Sequence, residues 1–249
     1  MATENSAQSL DIRVDQTKIE RFINQYKKHL IIGFAAIIAV VLAFWGAKIW
    51  HNNREEAGQA QLELGQNYIQ QIYQTHPDSV AAIKKVCDIA LKGDGQKKDG
   101  FKGFLKVASD YKWTNAANIA HLYAGVCYYH EGDYKKAIDE LKSFSTQDDA
   151  TISANALNML GNCYAADKQT DKAIDSYEKA AKKADNASLS PMYLMNAAML
   201  YEESGKKAEA NKIYVQIKND YPTSPLCTTN VQGDAVNGPE IDKYIERTK

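Results

Sequence analysis

One spacing dominates this sequence: three stretches of it align with one another in a register in the mid-thirties. They are HLYAGVCYYHEGDYKKAIDEL from His121 to Leu141, LNMLGNCYAADKQTDKAIDSY from Leu157 to Tyr177, and LMNAAMLYEESGKKAEANKIY from Leu194 to Tyr214. A small residue opens each match, and Gly125, Gly161 and Ala198 stand 36 and 37 residues apart. Three residues on comes a tyrosine: Tyr128, Tyr164 and Tyr201. Nine further on comes an alanine (Ala137, Ala173, Ala210), and four beyond that a bulky residue (Leu141, Tyr177, Tyr214). A fixed period of this length is the signature of stacked supersecondary units, none of which buries its apolar face alone. The small residue and the alanine suit a crossing of two antiparallel helices, and the tyrosine and bulky residue fill the space between them. The turns EGDYKKA, DKQTDKA and ESGKKAEA are short and polar, and Gly132 and Gly205 can take a positive φ at a helix C-cap.

This pattern closely resembles the tetratricopeptide repeat, over roughly Asn118 to Pro222. It departs from that pattern where Ala198 replaces glycine and where the opening tryptophan is absent. The resemblance implies an all-α fold, a tetratricopeptide-like α-solenoid of antiparallel helix pairs, and a protein-binding role. Upstream, AQLELGQNYIQQIYQ (Ala60 to Gln74) carries Leu64, Gly65 and Tyr68, the first-helix half of the same pattern, before His76-Pro77-Asp78 breaks it. Val80 to Leu91 reads as a second helix and Gly100 to Tyr111 as a third. Residues 51–117 are therefore expected to form a degenerate first repeat with a capping helix, and 118–222 the three regular repeats. Residues 223–249 read as a polar, turn-rich tail with a short terminal helix from Pro239 to Arg247.

The second strong feature is an uncharged run of 18 residues, LIIGFAAIIAVVLAFWGA, from Leu30 to Ala47. With Ile49 and Trp50 it reaches roughly 20 residues, enough as a helix to cross about 30 Å of hydrocarbon. A transmembrane helix over 29–50 is expected, preceded by a cytoplasmic leader over 1–28. Tyr26, Trp45 and Trp50 lie where interfacial aromatics belong. A core helix of this length would carry a polar face. A cleaved signal peptide would have a short basic leader, whereas this leader is long and contains Glu4, Asp11, Asp15 and Glu20. Arg13, Lys18, Arg21, Lys27 and Lys28 precede the run, and only Lys48 and Arg54 follow it before Lys84. Basic residues stay on the cytoplasmic side, so the repeats are expected outside, which in a diderm bacterium is the periplasmic face of the inner membrane. Ile19, Phe22, Ile23 and Tyr26 share one helical face. That face fits either a basic amphipathic helix on the inner leaflet or an early start of the span. In order of parts, the chain resembles the single-span, tetratricopeptide-like periplasmic proteins of bacteria, among them the ancillary subunit of the Sec translocon and its relatives.

No chemistry-bearing motif accompanies these features. The formal net charge is −1, which leaves no global basic field for nucleic acid. The glycine-rich GDGQKKDG loop (Gly93 to Gly100) lacks the following GK[ST] and the preceding strand of a phosphate loop. None of His29, His51, His76, His121 and His130 has an i,i+4 histidine partner, so no metal site or cofactor is expected. The cysteines Cys87, Cys127, Cys163 and Cys227 form no CxxC pair, and Cys127 and Cys163 fall at equivalent points of successive units, too far apart to bridge. An enzyme is the reading these absences disfavour.

In such arrays the first helix of each pair lines a concave groove. One of its faces comprises the residues at −6, −3 and +1 from the small residue. The first unit places there Ile119, Leu122 and Val126, with Tyr129 one turn on. The second places Asn155, Asn158 and Asn162, and the third Met192, Met195 and Met199. An amide stripe can bond a peptide backbone without reading its sequence, and a methionine stripe adapts to varied apolar side chains. The same residues could instead pack on neighbouring helices. The expectation is a membrane-tethered interaction module that assists secreted or unfolded chains near the Sec translocon; the alternative is a scaffold for an envelope or cell-division complex. No lysine pair of the kind that holds a C-terminal carboxylate lies on this face.

Overall fold

The computed structural model describes residues 16–95, 100–145, 149–228, 230–232 and 235–249. The acidic and basic residues of the leader up to Asp15, and the centre of the glycine-rich loop at 96–99, lie outside the described residues. The chain divides into two compact units, Met1–Asn53 and Arg54–Lys249. Helix α1 (Gln16–Gln74) contributes to both.

In the first unit every described side chain from Ile19 to Asn53 is exposed. The stretch is long and apolar enough to cross a membrane, and none of its most apolar window is buried. The shared face of Ile19, Phe22, Ile23 and Tyr26 belongs to this uninterrupted helix, and the rings of Phe22 and Tyr26 pack at 4.9 Å.

The second unit is a helical solenoid. The end of α1 is followed by α2 (Val80–Lys92) and the short α3 (Phe104–Asp110). Three pairs then follow: α4 (Asn115–Glu131) with α5 (Tyr134–Ser143), α6 (Ala150–Ala166) with α7 (Thr170–Ala184), and α8 (Ser190–Glu203) with α9 (Lys207–Asp220). The terminal helix α10 (Glu240–Arg247) closes the order. Its core comes in three clusters that share helices. One joins the end of α1 with α2, α3 and α4, the next α4 with α5 and α6, the last α6 through α10. Each cluster passes one helix on to the next, as a one-dimensional array requires.

Close approach at the small residues sets the pairing. A Cβ on Gly125 would sit 2.6 Å from Leu141 of α5, and one on Gly161 2.6 Å from the Tyr177 ring of α7. One on Gly65 would sit 2.5 Å from the Phe104 ring of α3. Phe104 thus does in the opening unit what Leu141 and Tyr177 do in the regular ones. Helix α3 begins only at Phe104, later than the Gly100 expected from sequence. The preceding Gly103 (φ 88) is pressed against the backbone of Leu91 and Lys92, and Gly93 (φ 95) against that of Phe101 and Lys102. A side chain at either position would separate the two strands of chain that close this loop, which the Asp94 N–H···O=C Phe101 bond (3.1 Å) also joins.

The turns inside the three pairs are equivalent. Gly132, Lys168 and Gly205 take φ of 86°, 61° and 76°. In each turn the next N–H donates back to the carbonyl of the repeat tyrosine: Asp133 to Tyr128 at 3.0 Å, Gln169 to Tyr164 at 2.8 Å, Lys206 to Tyr201 at 2.9 Å. This is the six-to-one bond of a Schellman closure. A lysine ammonium sits over each of those rings, Lys136 on Tyr128, Lys172 on Tyr164 and Lys206 on Tyr201, at 5.3, 5.5 and 5.8 Å. The tyrosines are half-buried under these cations rather than sunk in the core.

The polar tail does more than trail. Residues Asn230–Gln232 and Ala235–Asn237 pair as a small antiparallel hairpin, and α10 folds back on α9. Ile241 is fully buried there, the rings of Tyr214 and Tyr244 lie 5.2 Å apart, and Arg247 Nε reaches Glu202 at 2.8 Å. Helix α10 caps the open apolar end that a last repeat otherwise leaves.

Two substitutions test this account. Gly161→Ala is expected to destabilise the repeat domain by about 1–3 kcal/mol through overpacking against Tyr177. Tyr177→Ala, which empties the clashing position, should cost less in the Gly161→Ala chain than in the parent chain in urea unfolding followed by circular dichroism; fully additive losses would contradict the close-approach account. Lys168→Gly is expected to stabilise by about 0.5–1 kcal/mol, since a non-glycine left-handed residue costs roughly 1–2 kcal/mol, partly offset by glycine's unfolded-state entropy. Lys168→Ala should show no such gain.

Candidate binding groove

Helices α1, α4 and α6 lie side by side and enclose a hollow of about 630 Å³. From α4 it takes Asn115, Ile119, Leu122, Tyr123 and Val126, and from α6 Ile152, Asn155, Asn158 and Met159. Leu122 and Val126 are buried and form its floor. The remaining wall is the end of α1: Gln59, Leu62, Gln66, Ile69 and Tyr73. Gln59, Leu62 and Gln66 are the residues at −6, −3 and +1 from Gly65. The offsets that pick out Ile119, Leu122 and Val126 on α4 thus pick out this wall on α1 as well, and Gly65 was the signal that could have found it.

Not every residue on the expected face reaches the hollow. Tyr129 lies beyond its lining, its ring 5.5 Å from His130 and 5.8 Å from Tyr134. Asn162 is turned to the other side of α6, where its Oδ1 accepts from Tyr177 Oη at 2.8 Å. Met195 is buried in the last core cluster, while Met192 and Met199 are exposed on α8. None of the three methionines lines the hollow.

The lining carries no Asp, Glu, Lys or Arg side chain. Its polar content is amide and phenol. Asn155 Oδ1 accepts from Tyr193 Oη at 2.6 Å and Asn158 Oδ1 from Asn196 Nδ2 at 3.1 Å, both on α8. Gln66 hydrogen-bonds the Tyr123 hydroxyl, and burial pushes that phenol above its ordinary range. The asparagine carbonyls are thus committed to the neighbouring helix, and the N–H donors of each amide are what it can offer a ligand. At the far end Tyr73 packs edge-on against His130 at 6.2 Å, and burial holds that imidazole below its usual range, hence neutral near pH 7. An apolar floor with convergent donors and no net charge suits an extended, uncharged chain segment better than an ion.

A second hollow, of about 820 Å³, lies between α3, α4 and α5, where His121 Nδ1 and Glu140 Oε2 meet at 2.7 Å. Among the described residues no group of three or more His, Cys, Asp and Glu is placed to hold a metal ion. The cysteines are all free thiols. Cys87 of α2 and Cys127 of α4 meet in the first core cluster and share a hydrogen bond, which with burial raises the Cys127 thiol well above its ordinary range. That contact was not legible from sequence, where only Cys127 and Cys163 fall in register. Burial alone pushes Cys163 up to about 12, so it is a neutral packing group.

Tetratricopeptide repeat family models match three stretches of the chain: residues 106–150, 154–187 and 193–224. The chain therefore carries tetratricopeptide repeats, which are protein-interaction modules, over the segment that holds α4 to α9. No curated protein matches it. Among solved structures, it is similar to a Podosopora anserina protein with nearly identical TPR-like repeats, at 11% identity and a TM-score of 0.44, over 80% of this chain and 86% of that one. It is also similar to Pseudomonas aeruginosa pilF, at 19% identity and a TM-score of 0.36, over 66% of this chain and 77% of that one.

Proposed function

We propose that this chain is a membrane-tethered interaction module whose groove between α1, α4 and α6 receives extended, uncharged segments of other proteins on the outer side of the membrane. The observation that carries the reading is the lining: apolar side chains with amide donors and no charged group. Amide N–H groups bond any backbone carbonyl, and an apolar floor takes many side chains, so the pairing is tolerant of sequence. That tolerance fits a helper of secreted or partly unfolded chains, near the translocon through which they emerge. The methionines of α8, which lie off this groove, are not needed for it.

The tether rests on separate grounds. The run Leu30 to Ala47 is helical, apolar and exposed throughout, and folding by itself leaves no such surface uncovered in water. The basic residues before it and their scarcity after it favour a cytoplasmic N-terminus and an external repeat domain, on the inner membrane of a diderm cell.

Photo-crosslinkers at Gln66 and Asn158, placed in intact cells, are expected to capture many partners, and one at Met199 few. A single stoichiometric partner would replace this reading with that of a scaffold; equal capture at Met199 would remove the groove from it. Protease added outside the inner membrane of spheroplasts is expected to digest the repeat domain. Digestion from the cytoplasmic face alone would reverse the orientation.

A further inference from the structure

The chain holds three tryptophans. Trp45 and Trp50 belong to the end of the apolar run, but Trp113 stands in the corner between α3 and α4. It is 83% exposed, more than any other large apolar side chain among the described residues. Its φ of 66° is one that a bulky L-residue avoids, and such outliers persist where the surroundings over-determine them. Thr114 pins the turn, its Oγ1 donating to Tyr111 O at 2.6 Å and accepting from Ala117 N at 3.1 Å. In this turn the ring is largely exposed.

The same corner is fastened to the first residues of its unit. Arg54 donates to the Asp110 carbonyl and lies 5.9 Å from the centre of the Tyr111 ring. The Glu55 carboxylate accepts from Asn115 N at 2.6 Å and Ala116 N at 3.1 Å. Arg54 follows Trp50, the last apolar residue of the run, by four positions. Even a fully extended chain covers about 14 Å in four residues. That reach is of the order of a headgroup layer, roughly 5–8 Å, plus a tryptophan side chain. Lys112 beside the ring is exposed, as are Lys102 and Lys106. Of the nearby carboxylates, Glu55 is occupied by two amides and Asp110 faces Lys106 at 3.5 Å.

We propose that the α3–α4 corner is a second membrane contact, in which Trp113 enters the interfacial layer and Lys112 faces anionic headgroups of the bilayer that the chain's own span crosses. The proposal rests on the tethered reading given above. Tryptophan is enriched at this depth because its ring is apolar and its N–H is polar, and lysines near a bilayer surface are drawn to anionic lipid. The contact would fix which face of the repeat domain turns to the membrane and which is left for the groove's ligands.

The test uses the full chain carrying Trp45→Phe and Trp50→Phe, so that all tryptophan emission comes from Trp113. It is reconstituted in phosphatidylethanolamine–phosphatidylglycerol vesicles containing a phosphatidylcholine brominated near the glycerol end of its acyl chains, and flotation is read on the same samples. Flotation with a clear loss of emission relative to unbrominated vesicles is the expected result for an interfacial indole. Flotation with unquenched emission typical of indole in water overturns the proposal and leaves the tether intact. Failure to float overturns both. Quenching that is unchanged when phosphatidylcholine replaces phosphatidylglycerol overturns the role given to Lys112.

Discussion

Two helices can close on each other here only where one of them has almost no side chain. Gly65 under Phe104, Gly125 under Leu141 and Gly161 under Tyr177 are the same contact made three times, with a virtual Cβ clash of 2.5–2.6 Å at each. The inward face of one helix is thereby spent on its own pair. What remains, one turn to either side, is the face that lines the hollow at Gln59, Leu62 and Gln66, at Ile119, Leu122 and Val126, and at Asn155 and Asn158. The groove is therefore a by-product of the packing rule, and its chemistry is free to vary because the glycines already hold the pairs together.

What could be read in the sequence followed from that rule. The three pairs α4–α5, α6–α7 and α8–α9 were legible because their small residues, tyrosines, alanines and bulky residues keep register. The opening unit was only half legible: Gly65 and Tyr68 were visible, but the residue that covers Gly65 comes from α3, about forty residues on, with α2 between, and no fixed spacing announces it. The left-handed turn at Lys168 hid behind a lysine where its equivalents are glycines. The methionine face misled for an ordinary reason. Residues at helical spacing do share a face, but Met195 is consumed by the last core cluster while Met192 and Met199 stay exposed and off the hollow. Composition could not reveal the cap, since α10 is mostly charged and buries a single isoleucine completely.

The two halves of the proposed function make different demands on the same helix. Its run from Leu30 to Ala47 must be apolar on every side, and its last part, from Arg54 on, must present glycine to α3 and amides to the hollow. The change falls between Trp50 and Gly58, where Arg54 and Glu55 turn from the lipid-compatible run to hydrogen bonds with the backbone of the α3–α4 corner. The glutamate there caps α4 from outside, satisfying amides at a helix start with an acceptor from another element, in addition to Thr114.

The cysteines acquire a use from their positions. Cys87 and Cys127 sit in the first core cluster, Cys163 in the second, and Cys227 against the third. A quasi-one-dimensional array opens from its ends and in segments rather than all at once. Because the three buried thiols become reactive only when their own layer opens, the rate at which each is alkylated under native conditions is a local clock. The protein thus carries its own record of which part of the solenoid frays first.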